Sequence, residues 1–380
     1  MIDILNKSNC TGCYACVNSC PVQCITMKED EEGFEYPTID MKKCINCNIC
    51  EKTCPSLNKD LSSNTEAVYA AKNKDDQIRK SSSSGGVFTL IAEYILKMDG
   101  VVYGASYDEK FEVRHIRINS LDEIAYLKGA KYVQSKIDTI YQMVKKDLEA
   151  NKIVLFTGTP CQIAGVRAFL KRPYEKLYLQ DVLCHGVPSY KILKKYLDET
   201  GFKDIKSISF RDKSIGWQKS LVRIDYKNKT YKQKYSQNPY TRAFSSGAIL
   251  RPSCYQCHYK NMRYYSDISL SDFWGIENTN SKLYDQLGVS LMFIHTDKGM
   301  ELFHNIKSFM EYEEVELETA IASNKTAIYG AYKQKNRDVI FEQLDKKSLR
   351  WLTNRYVKGS ILKRAYNLFH RNCLRILKRG

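Results

Sequence analysis

Fourteen cysteines stand out in this chain of 380 residues, and eight of them fall into two copies of one spacing. The pattern Cys-x-x-Cys-x-x-Cys-x-x-x-Cys-Pro begins at Cys10 and recurs 34 residues later, beginning at Cys44. Three thiolates spaced in this way bind three corners of an iron–sulfur cubane, while the fourth, next to proline, binds the other cluster. The spacing therefore predicts two [4Fe–4S] clusters, with ligands Cys10, Cys13, Cys16 and Cys54 in the first and Cys20, Cys44, Cys47 and Cys50 in the second.

Paired zinc knuckles are the alternative interpretation of the same eight thiols. Zinc sites usually group their cysteines as two separated pairs and do not need a trailing Cys-Pro, so the pattern favours iron. Gly12 and Ala15 lie between the cysteines of the first run. Their small size lets backbone N–H groups approach the sulfurs. Cys24 is outside the pattern and is expected to be a small apolar filler.

Four more cysteines lie further along the chain, each beside turn residues. Cys161 and Cys184 follow predicted strands, and the motif Arg251-x-x-Cys254-x-x-Cys257 contributes a Cys-x-x-Cys pair. Four thiols on loops can enclose a third [4Fe–4S] cluster. From the spacing alone, a four-cysteine zinc site is a serious rival.

Two segments offer places for phosphates or a flavin. Residues 81–86, Ser-Ser-Ser-Ser-Gly-Gly, precede a predicted helix, where free N–H groups favour an anion. Residues 128–135 supply two lysines, an aromatic ring and an amide, which suit an isoalloxazine and its pyrophosphate. A plain helix cap and a surface turn are the respective alternatives. No Gly-x-Gly-x-x-Gly follows a strand, so a Rossmann nicotinamide site has no support.

A turn rich in charge occupies residues 210–217, Phe-Arg-Asp-Lys-Ser-Ile-Gly-Trp. Two interpretations stay open for it: it holds the acidic tail of a deazaflavin or an acidic ferredoxin, or it is a salt-bridged β-turn. Trp217 and Trp274 are expected in the core or beside a flavin ring. The acidic block at residues 28–32 is expected to be a solvated turn.

The scaffold for these residues is an alternation of strands and helices between about 67 and 330. Strands are predicted at residues 67–71, 101–105, 153–157, 177–182 and 221–226, and helices at 87–98 and 162–170. This alternation is typical of an α/β domain. We therefore expect an α+β ferredoxin-like domain at 1–58, a polar linker at 59–66, an α/β domain at 67–330 and a basic helical tail at 331–380.

Composition predicts a soluble cytoplasmic protein. Hydrophobic residues make up 43% of the chain, which is enough for a sizeable core. No apolar run approaches the ~18 residues of a membrane span, and no signal peptide is visible. In a cytoplasmic chain, many cysteines indicate metal ligation or redox chemistry rather than disulfides. The net charge of +16 is concentrated in the tail, and no nucleic-acid-binding motif is present, so nucleic acid is not an expected partner.

The tail, residues 331–380, contains fourteen basic and three acidic residues. Apolar residues recur in it at helical spacing, namely Leu349, Leu352, Tyr356, Ile361, Leu362, Ala365, Phe369, Leu374 and Leu377. A basic amphipathic helix can lie on an anionic membrane surface, dock a partner, or pack on its own domain with a solvated basic face. Cys373 is expected to be a lone buried thiol.

Taken together, these segments resemble the coenzyme F420 hydrogenase/dehydrogenase beta-subunit family. The resemblance spans about residues 67–330 and rests on the order of the motifs at 79–86, 101–107, 128–135, 156–165, 181–189, 210–217 and 251–275. Residues 1–58 resemble a two-cluster bacterial ferredoxin, which members of this arrangement carry at the N-terminus. Ala130 and Ser271 depart from the family, in which serine and glycine are common at these positions.

The resemblance implies FAD in the α/β domain, and it favours iron over zinc at the cluster site formed by Cys161, Cys184, Cys254 and Cys257. It also implies flavin contacts from Ser83, Ser84, Gly85, Lys128, Lys131, Tyr132 and Gln134. We accordingly expect an iron–sulfur flavoprotein oxidoreductase of an anaerobe. It relays electrons between a two-electron carrier at FAD, such as reduced coenzyme F420, and one-electron carriers such as ferredoxin.

Two other functions remain open from the sequence. The chain can be an electron-transfer subunit without its own substrate that feeds a separate partner. It can also serve the reductive modification of a sugar or lipid in surface-polysaccharide biosynthesis, where a basic tail suits a peripheral position at the inner membrane face. A substrate pocket on the flavin distinguishes the enzyme from the electron-transfer subunit, and the relay itself requires no acid–base triad.

Overall fold

The computed structural model describes residues 6–58, 65–322 and 324–357. Most of the predicted linker, and the tail beyond residue 357 with its apolar positions from Ile361 onward and Cys373, lie outside the described residues. No helix in the described part of the chain is long and apolar enough to cross a membrane.

The N-terminal domain folds the cysteine repeat into two matching halves. Its elements in chain order are α1 (Ala15–Ser19), β1 (Ile25–Glu29), β2 (Glu35–Ile39) and α2 (Ile49–Lys52). The two strands pair antiparallel, with Ile25 opposite Ile39. Each short helix carries the third cysteine of its run, Cys16 in α1 and Cys50 in α2. This is the α+β arrangement that the repeat predicts.

The second domain contains eleven strands in the described residues. They are β3 (Ala67–Asn73), β4 (Val101–Tyr107), β5 (Val113–Ile118), β6 (Val154–Gly158), β7 (Leu177–Val182), β8 (Ile205–Asp212), β9 (Leu221–Tyr226), β10 (Lys229–Lys234), β11 (Ile268–Asp272), β12 (Ser290–Ile294) and β13 (Met310–Glu314). The helices between and after them are α3 (Asp76–Ser81), α4 (Val87–Lys97), α5 (Ile124–Leu127), α6 (Ile140–Glu149), α7 (Pro160–Leu170), α8 (Tyr190–Thr200), α9 (Pro239–Ser245), α10 (Asp297–Ile306), α11 (Leu317–Ala322), α12 (Arg337–Glu342) and α13 (Leu349–Tyr356).

Eight of these strands form one mixed sheet in the order β13-β3-β12-β11-β7-β6-β4-β5. The central strands β11, β7, β6 and β4 run parallel to one another, and the flanking strands pair antiparallel. Because parallel strands end at one edge, ligands of such sheets bind beyond their carboxyl ends. The segments that leave β6 and β7 carry Cys161 and Cys184 to this edge. Strands β8, β9 and β10 form a separate antiparallel sheet.

Helices cover both faces of the large sheet. On one face, α4 and α10 pack over Val102 and Leu155. On the other face, α6 and α7 pack over the alternate strand residues, such as Tyr103 and Phe156. The second of these cores also includes Tyr14 of the N-terminal domain. The N-terminal domain therefore docks on the same face as α7, the helix that carries Cys161.

The described start of the predicted tail belongs to a core of the second domain. Leu349 and Leu352 of α13 are fully buried and share a core with Val222 and Ile224 of the small sheet. Helix α12 adds Ile340 to the same core. The described start of the tail therefore packs on the second domain, and the apolar positions from Ile361 onward lie outside the described residues.

Most predicted elements appear with small shifts of their ends. Strands β7 and β9 have the expected bounds, whereas α7 begins at Pro160 rather than at Gln162. Thr159 and Gln162 form a capping box at this end, and proline is well suited to the first turn of a helix. The cap therefore fixes an earlier start than the apolar periodicity indicates.

Candidate functional site

The first predicted cluster-binding set is assembled at the N-terminal domain's border with α7. Burial raises the pKa of the Cys13 thiol, and the nearby Cys16, Cys54 and Cys10 raise it further. The pKa of Cys16 is also raised by burial and by its neighbours Cys10 and Cys54. The structure thus brings together one cysteine of the second run and three of the first, as the crossed ligand sets require.

The second predicted set surrounds a small cavity in the N-terminal domain. Cys20, Cys44, Cys47 and Cys50 all line it. Cys24, expected to be a filler, is indeed buried, but it lines the same cavity, and its Sγ lies 3.4 Å from the Sγ of Cys20. Cys47 is the exposed member of the set, so this site reaches the protein surface.

The two cysteine loops share an unusual backbone. Gly12 and Asn46, which are equivalent in the repeat, have φ values of +66° and +54°. The next equivalent pair, Tyr14 and Asn48, has φ values of +64° and +57°. Left-handed residues within a loop turn successive N–H groups toward a common centre and form a concave site for an anion. The repeat therefore extends from the cysteine spacing to the backbone that surrounds the sulfurs.

The four later cysteines also converge, although they come from three separate segments. Cys161 is the second residue of α7, Cys184 follows β7, and Cys254 lies in a 3-10 turn, Pro252–Gln256, just before Cys257. Burial raises the pKa of the Cys161 thiol, and the proximity of Cys184 and Cys257 raises it further. Burial also raises the pKa of the Cys254 thiol, and the proximity of Cys184, Cys257 and Cys161 raises it further.

This third set lies against the first. A Cβ placed on Gly165 of α7 would come within 3.1 Å of the Cβ of Cys13, so the loop packs directly on the helix. Tyr141 stands between the two sets, and the pKa of its hydroxyl is raised by burial and then by Cys13 and Cys161. Within the described residues, no group of three or more His, Cys, Asp or Glu side chains is arranged to hold a single metal ion.

A cavity of about 1150 Å³ adjoins the third set and lies beyond the carboxyl ends of the parallel strands. Small-molecule sites usually measure about 300–1,000 Å³, so there is room for a dinucleotide. Cys161 and Cys184 form part of its wall. Six of the seven residues predicted to contact a flavin line it, namely Ser83, Ser84, Lys128, Lys131, Tyr132 and Gln134.

Gly85 is the seventh, and it is not among the residues that line the cavity. Its N–H donates to Ser290 Oγ at 3.0 Å, and an added Cβ would lie 2.5 Å from the carbonyl oxygen of Ala71. Gly85 therefore serves the close packing of its loop on strands β3 and β12. A direct flavin contact from Gly85 has no support in this placement.

Lys131 lines the cavity but directs its ammonium group elsewhere. Its Nζ donates to the carbonyl oxygens of Leu127, Lys128 and Gly129, at 3.2, 3.0 and 3.3 Å. Burial lowers the pKa of Lys131 to about 7. This lysine therefore caps the end of α5 and shapes the loop that follows.

Hydrogen bonds connect the two segments predicted to bind a flavin, residues 81–86 and 128–135. Ser83 Oγ accepts from the N–H of Ala130 at 2.7 Å. Behind them, the buried Lys213 donates to the carbonyl oxygens of Ser84 and Leu287, at 2.9 and 2.5 Å. Lys213 belongs to the charged turn at 210–217, so part of that turn holds the serine loop in place.

Two other residues of the charged turn, Arg211 and Ile215, line the cavity. Arg211 makes a 2.9 Å ion pair with Asp272, and its guanidinium lies 5.0 Å from the ring of Trp274. Trp217 is fully buried and stacks on Trp274 at 5.0 Å. Trp217 is therefore a core residue, whereas Trp274 lines the cavity. The charged turn therefore forms a salt bridge, and the arginine of that salt bridge also lines the cavity.

The charge of the cavity is positive. Asp272 is the single acidic side chain that lines it among the described residues, against five cations, Lys128, Arg211, Lys219, Lys234 and Lys325, in addition to Lys131, whose ammonium group is directed to backbone carbonyls. Two nitrogens of Arg211, Nε and Nη2, are buried without a hydrogen-bond partner in the described part of the chain. Buried donors without acceptors are costly, so the site fits a ligand that brings anionic or carbonyl oxygens.

A buried polar triad lies behind the third cysteine set and was not anticipated from the sequence. Ser269 donates to Asp181, and His295 Nε2 lies 2.9 Å from Ser269 Oγ. All three residues are almost completely buried, so the triad has no access to a substrate. It is a polar cluster of the core in which Oδ2 of Asp181 has no hydrogen-bond partner among the described residues.

Comparisons with known proteins place these features in one family. The model described as "Coenzyme F420 hydrogenase/dehydrogenase, beta subunit N-term" matches residues 68–141, and its C-terminal counterpart matches residues 151–320. A model described as a 4Fe-4S dicluster domain matches residues 9–58.

Relatives resemble either the whole chain or its first domain. An F(420)H(2) dehydrogenase subunit of Methanosarcina mazei is 22% identical over 335 residues, which are 82% of this chain and 86% of the relative. An NADH-quinone oxidoreductase subunit of Geobacter metallireducens is 42% identical over 55 residues, which are 13% of this chain and 42% of that protein. A chain of the F420-reducing [NiFe] hydrogenase complex from Methanosarcina barkeri aligns with a TM-score of 0.49 and 18% identity, covering 74% of this chain and 93% of that one.

Proposed function

The chain belongs to the coenzyme F420 hydrogenase/dehydrogenase beta-subunit family, and from this premise we propose that it is an iron–sulfur flavoprotein that relays electrons between a two-electron carrier and one-electron carriers. As a member of this family with a 4Fe-4S ferredoxin domain at its N-terminus, it is an electron-transfer protein of the F420 hydrogenase/dehydrogenase type. The flavin, the third cluster and the identity of the carriers are the parts that we propose.

One observation carries the proposal: the large cavity, the third cysteine set and the first cysteine set adjoin one another in a row. Cys161 lines the cavity, and its helix α7 packs on Cys13 of the first set at Gly165. This order suits a path from an organic cofactor through the second domain into the ferredoxin domain.

FAD is the group proposed for the cavity. When bound, it supplies the conversion between two-electron and one-electron transfer. Arg211 offers unused buried N–H donors, and Lys128 contributes a positive charge at the wall. Ser83 and Lys213 hold the loops that shape the site. These residues bind and orient the cofactor.

The proposed ligands are three sets of four cysteines. The first cluster takes Cys10, Cys13, Cys16 and Cys54, the second takes Cys20, Cys44, Cys47 and Cys50, and the third takes Cys161, Cys184, Cys254 and Cys257. Thiolate ligands from loops that present N–H groups suit iron–sulfur clusters, whose potentials depend on such hydrogen bonds and on solvent exposure.

The second cluster is the proposed exit to a partner protein. Cys47 is exposed, and around it Val22, Met41 and Ile45 expose 36%, 59% and 60% of their surfaces. Exposed apolar side chains beside a redox centre suit a transient protein contact. A ferredoxin or a separate catalytic subunit has the chemistry required of such a partner.

Metal and flavin analysis after anaerobic reconstitution tests the proposal. We expect about twelve irons per chain, since three cubanes hold four irons each, together with about one FAD. The Cys184→Ser variant should lose iron from the third site and keep the other two. Cys373→Ser, which replaces a cysteine outside the three proposed ligand sets, is the control and should bind as much iron as the wild type. Zinc at the third site, or a chain that binds no flavin, would contradict the relay.

Reduction of the reconstituted protein distinguishes an enzyme from a subunit that only passes electrons on. Reduced deazaflavin, NADPH and reduced ferredoxin are supplied in parallel under anaerobic conditions, and flavin and cluster absorption are followed. Bleaching of the flavin by reduced deazaflavin supports a two-electron carrier at the cavity. Reduction by ferredoxin alone instead favours the electron-transfer subunit without its own substrate.

A further inference from the structure

Arg251 is the first residue of the Arg-x-x-Cys-x-x-Cys motif in the second domain. Its side chain extends into the first cysteine loop of the N-terminal domain. Its side chain is fully buried. Its Nε donates to the carbonyl oxygen of Cys10 at 2.8 Å, and its Nη2 donates to the carbonyl oxygen of Glu35 at 2.8 Å. The same Nη2 lies 3.6 Å from Cys10 Sγ, which is within reach of an N–H···S hydrogen bond.

The positive charge of Arg251 has no carboxylate partner among the described residues. Its contact with Glu35 is to the backbone carbonyl oxygen, and the carboxylate of Glu35 binds Tyr14 and Lys136. The guanidinium is flanked by aromatic rings, with Tyr36 at 4.3 Å and Phe34 at 5.5 Å. A buried charge is costly unless an opposite charge compensates it.

A second buried arginine at the same border shows the usual solution. Arg337 forms a bidentate ion pair with Glu32, at 2.7 and 2.5 Å. Its side chain is 4% exposed, so its burial is comparable to that of Arg251. The two arginines therefore differ in one respect: Arg337 faces a carboxylate, whereas Arg251 faces a cysteine sulfur.

We propose that Arg251 is the buried counter-charge of the first cluster and a positioning residue that sets the reduction potential of that cluster. Four thiolates give a [4Fe–4S] cluster a net negative charge, which supplies the compensation that the polypeptide does not. A fixed positive charge and an N–H···S bond favour the reduced, more negative state, and so they raise the potential of the cluster.

Gln134 fixes the arginine in this position. Its Oε1 accepts from Arg251 Nη1 at 3.0 Å, and its Nε2 donates to the carbonyl oxygen of Thr11 at 3.0 Å. Gly12 is required by the close approach, because a Cβ there would lie 2.7 Å from Gln134 Nε2 and 2.9 Å from Arg251 Nη1. Gln134 also lines the large cavity, so the cavity wall and the first cluster share one hydrogen-bonded unit.

This inference rests on the ferredoxin domain and not on the flavin. It needs only the first cluster, so a chain that binds iron but no FAD would contradict the proposed relay and leave the role of Arg251 open to measurement.

The test is a potentiometric titration of the full chain, purified anaerobically and followed by electron paramagnetic resonance. In Arg251→Met, one cluster should become harder to reduce, by at least tenfold in its ratio of reduced to oxidised form at a fixed potential, which is ~59 mV for one electron. Arg251→Lys keeps the charge and should shift the same cluster less. The second cluster should keep its potential in both variants.

Arg337→Gln is the matched control, because it removes a buried arginine from the same border without touching a cysteine. It should lower stability and leave both ferredoxin clusters at the wild-type potential. Unchanged potentials in Arg251→Met would overturn the proposal. If Met blocks iron loading of the first site while Lys permits it, the requirement for charge is supported. If both variants lose that iron while Arg337→Gln keeps it, Arg251 is a purely structural residue and the proposal is wrong.

Discussion

His115 shows how one buried side chain couples the cavity wall to pH. Its Nδ1 lies 2.8 Å from Ser135 Oγ, its Nε2 lies 2.8 Å from the carbonyl oxygen of Thr157, and its ring stacks on Phe156. Burial lowers the pKa of His115 to about 4. The histidine pKa in the unfolded chain is ~6.5. Between about pH 4 and 6.5, His115 is therefore protonated in the unfolded chain and neutral in the folded chain.

From this we predict that His115 destabilises the fold as the pH falls through that window. The unfolded state holds more protons there, so stability rises with pH, by at most about 3 kcal/mol over the whole window. Urea unfolding at pH 7.5, 5.5 and 4.5 should show a smaller acid-induced loss in His115→Asn than in the wild type. His304→Asn, at an exposed position of α10, is the control and should follow the wild type. Parallel losses in all three proteins would contradict the prediction.

Arg211 is the residue on which we expect flavin affinity to depend most. It combines buried, unused donors with a positive charge, and charge-assisted hydrogen bonds contribute about 1.5–3 kcal/mol each. Arg211→Gln should weaken FAD binding tenfold or more, as measured by fluorescence titration of the reconstituted apoprotein. Lys232→Gln removes an exposed cation that pairs with Asp212 and should leave FAD affinity unchanged. Equal affinities in the two variants would exclude Arg211 from the flavin site.

For single residues, the sequence predicted which residue types form the site but not the direction in which each side chain points. The spacing of the cysteines anticipates which thiols meet, because a cubane constrains its ligands. In contrast, Lys131 matches the expected segment yet turns back onto α5, and Gly85 serves packing. A sequence pattern gives the neighbours of a lysine along the chain and does not give the carbonyl oxygens that the fold presents to it.

The element that organises the site is α7, which carries Cys161 at its start and Gly165 in its middle. Alanine usually stabilises a helix by ~1 kcal/mol relative to glycine. In Gly165→Ala, however, the new Cβ would lie 2.7 Å from Tyr141 Oη and 3.1 Å from Cys13 Cβ. We therefore predict the opposite sign, a loss of about 1–3 kcal/mol from overpacking.

Chemical denaturation and the absorption of the reconstituted clusters measure this effect. The double variant Tyr141→Phe, Gly165→Ala removes the hydroxyl that makes the shortest contact, and it should recover part of the lost stability. A Gly165→Ala variant as stable as the wild type would show that α7 and the first cysteine loop do not pack as closely as described.

Element types followed from the sequence, while strand partners did not. The alternation of strands and helices anticipates the parallel centre of the sheet, because β–α–β units favour parallel pairing. The antiparallel additions β12, β3 and β13 come from distant parts of the chain, and no local signal specifies their order. The paired left-handed positions of the cysteine loops were also hidden, because only one of the four residues, Gly12, is a glycine.

Across the whole molecule, a buried ion pair joins the two domains. The acidic block at 28–32 was expected to be a solvated turn, but Glu32 pairs with Arg337, and the carbonyl oxygen of Glu32 accepts from Ser189 Oγ at 2.7 Å. Charge runs are usually solvated, and the sequence holds no sign that the last carboxylate meets an arginine about 300 residues away. The domain border was therefore the least predictable part of the fold.

We predict that Glu32→Gln destabilises the folded chain by about 3–5 kcal/mol, because it leaves the Arg337 charge buried without its partner. Thermal unfolding and limited proteolysis of the ferredoxin domain measure the loss. Glu31→Gln, the neighbouring exposed carboxylate, is the control and should change stability by less than about 0.5 kcal/mol. The double variant Glu32→Gln, Arg337→Gln should lose less stability than the sum of the losses in the two single variants. Additive losses would show that the pair does not couple the domains.

The contact of Gly165 with Cys13 has a kinetic consequence. Electron transfer between separate proteins requires a diffusional encounter, and the rate of encounter falls in a viscous solvent. Here the two domains are already in contact, because Gly165 of α7 packs on Cys13 of the first cysteine loop. In the proposed relay, electron transfer from the third cluster to the first should therefore have the same rate in dilute buffer and in concentrated sucrose, whereas transfer to an outside partner should slow in proportion to viscosity.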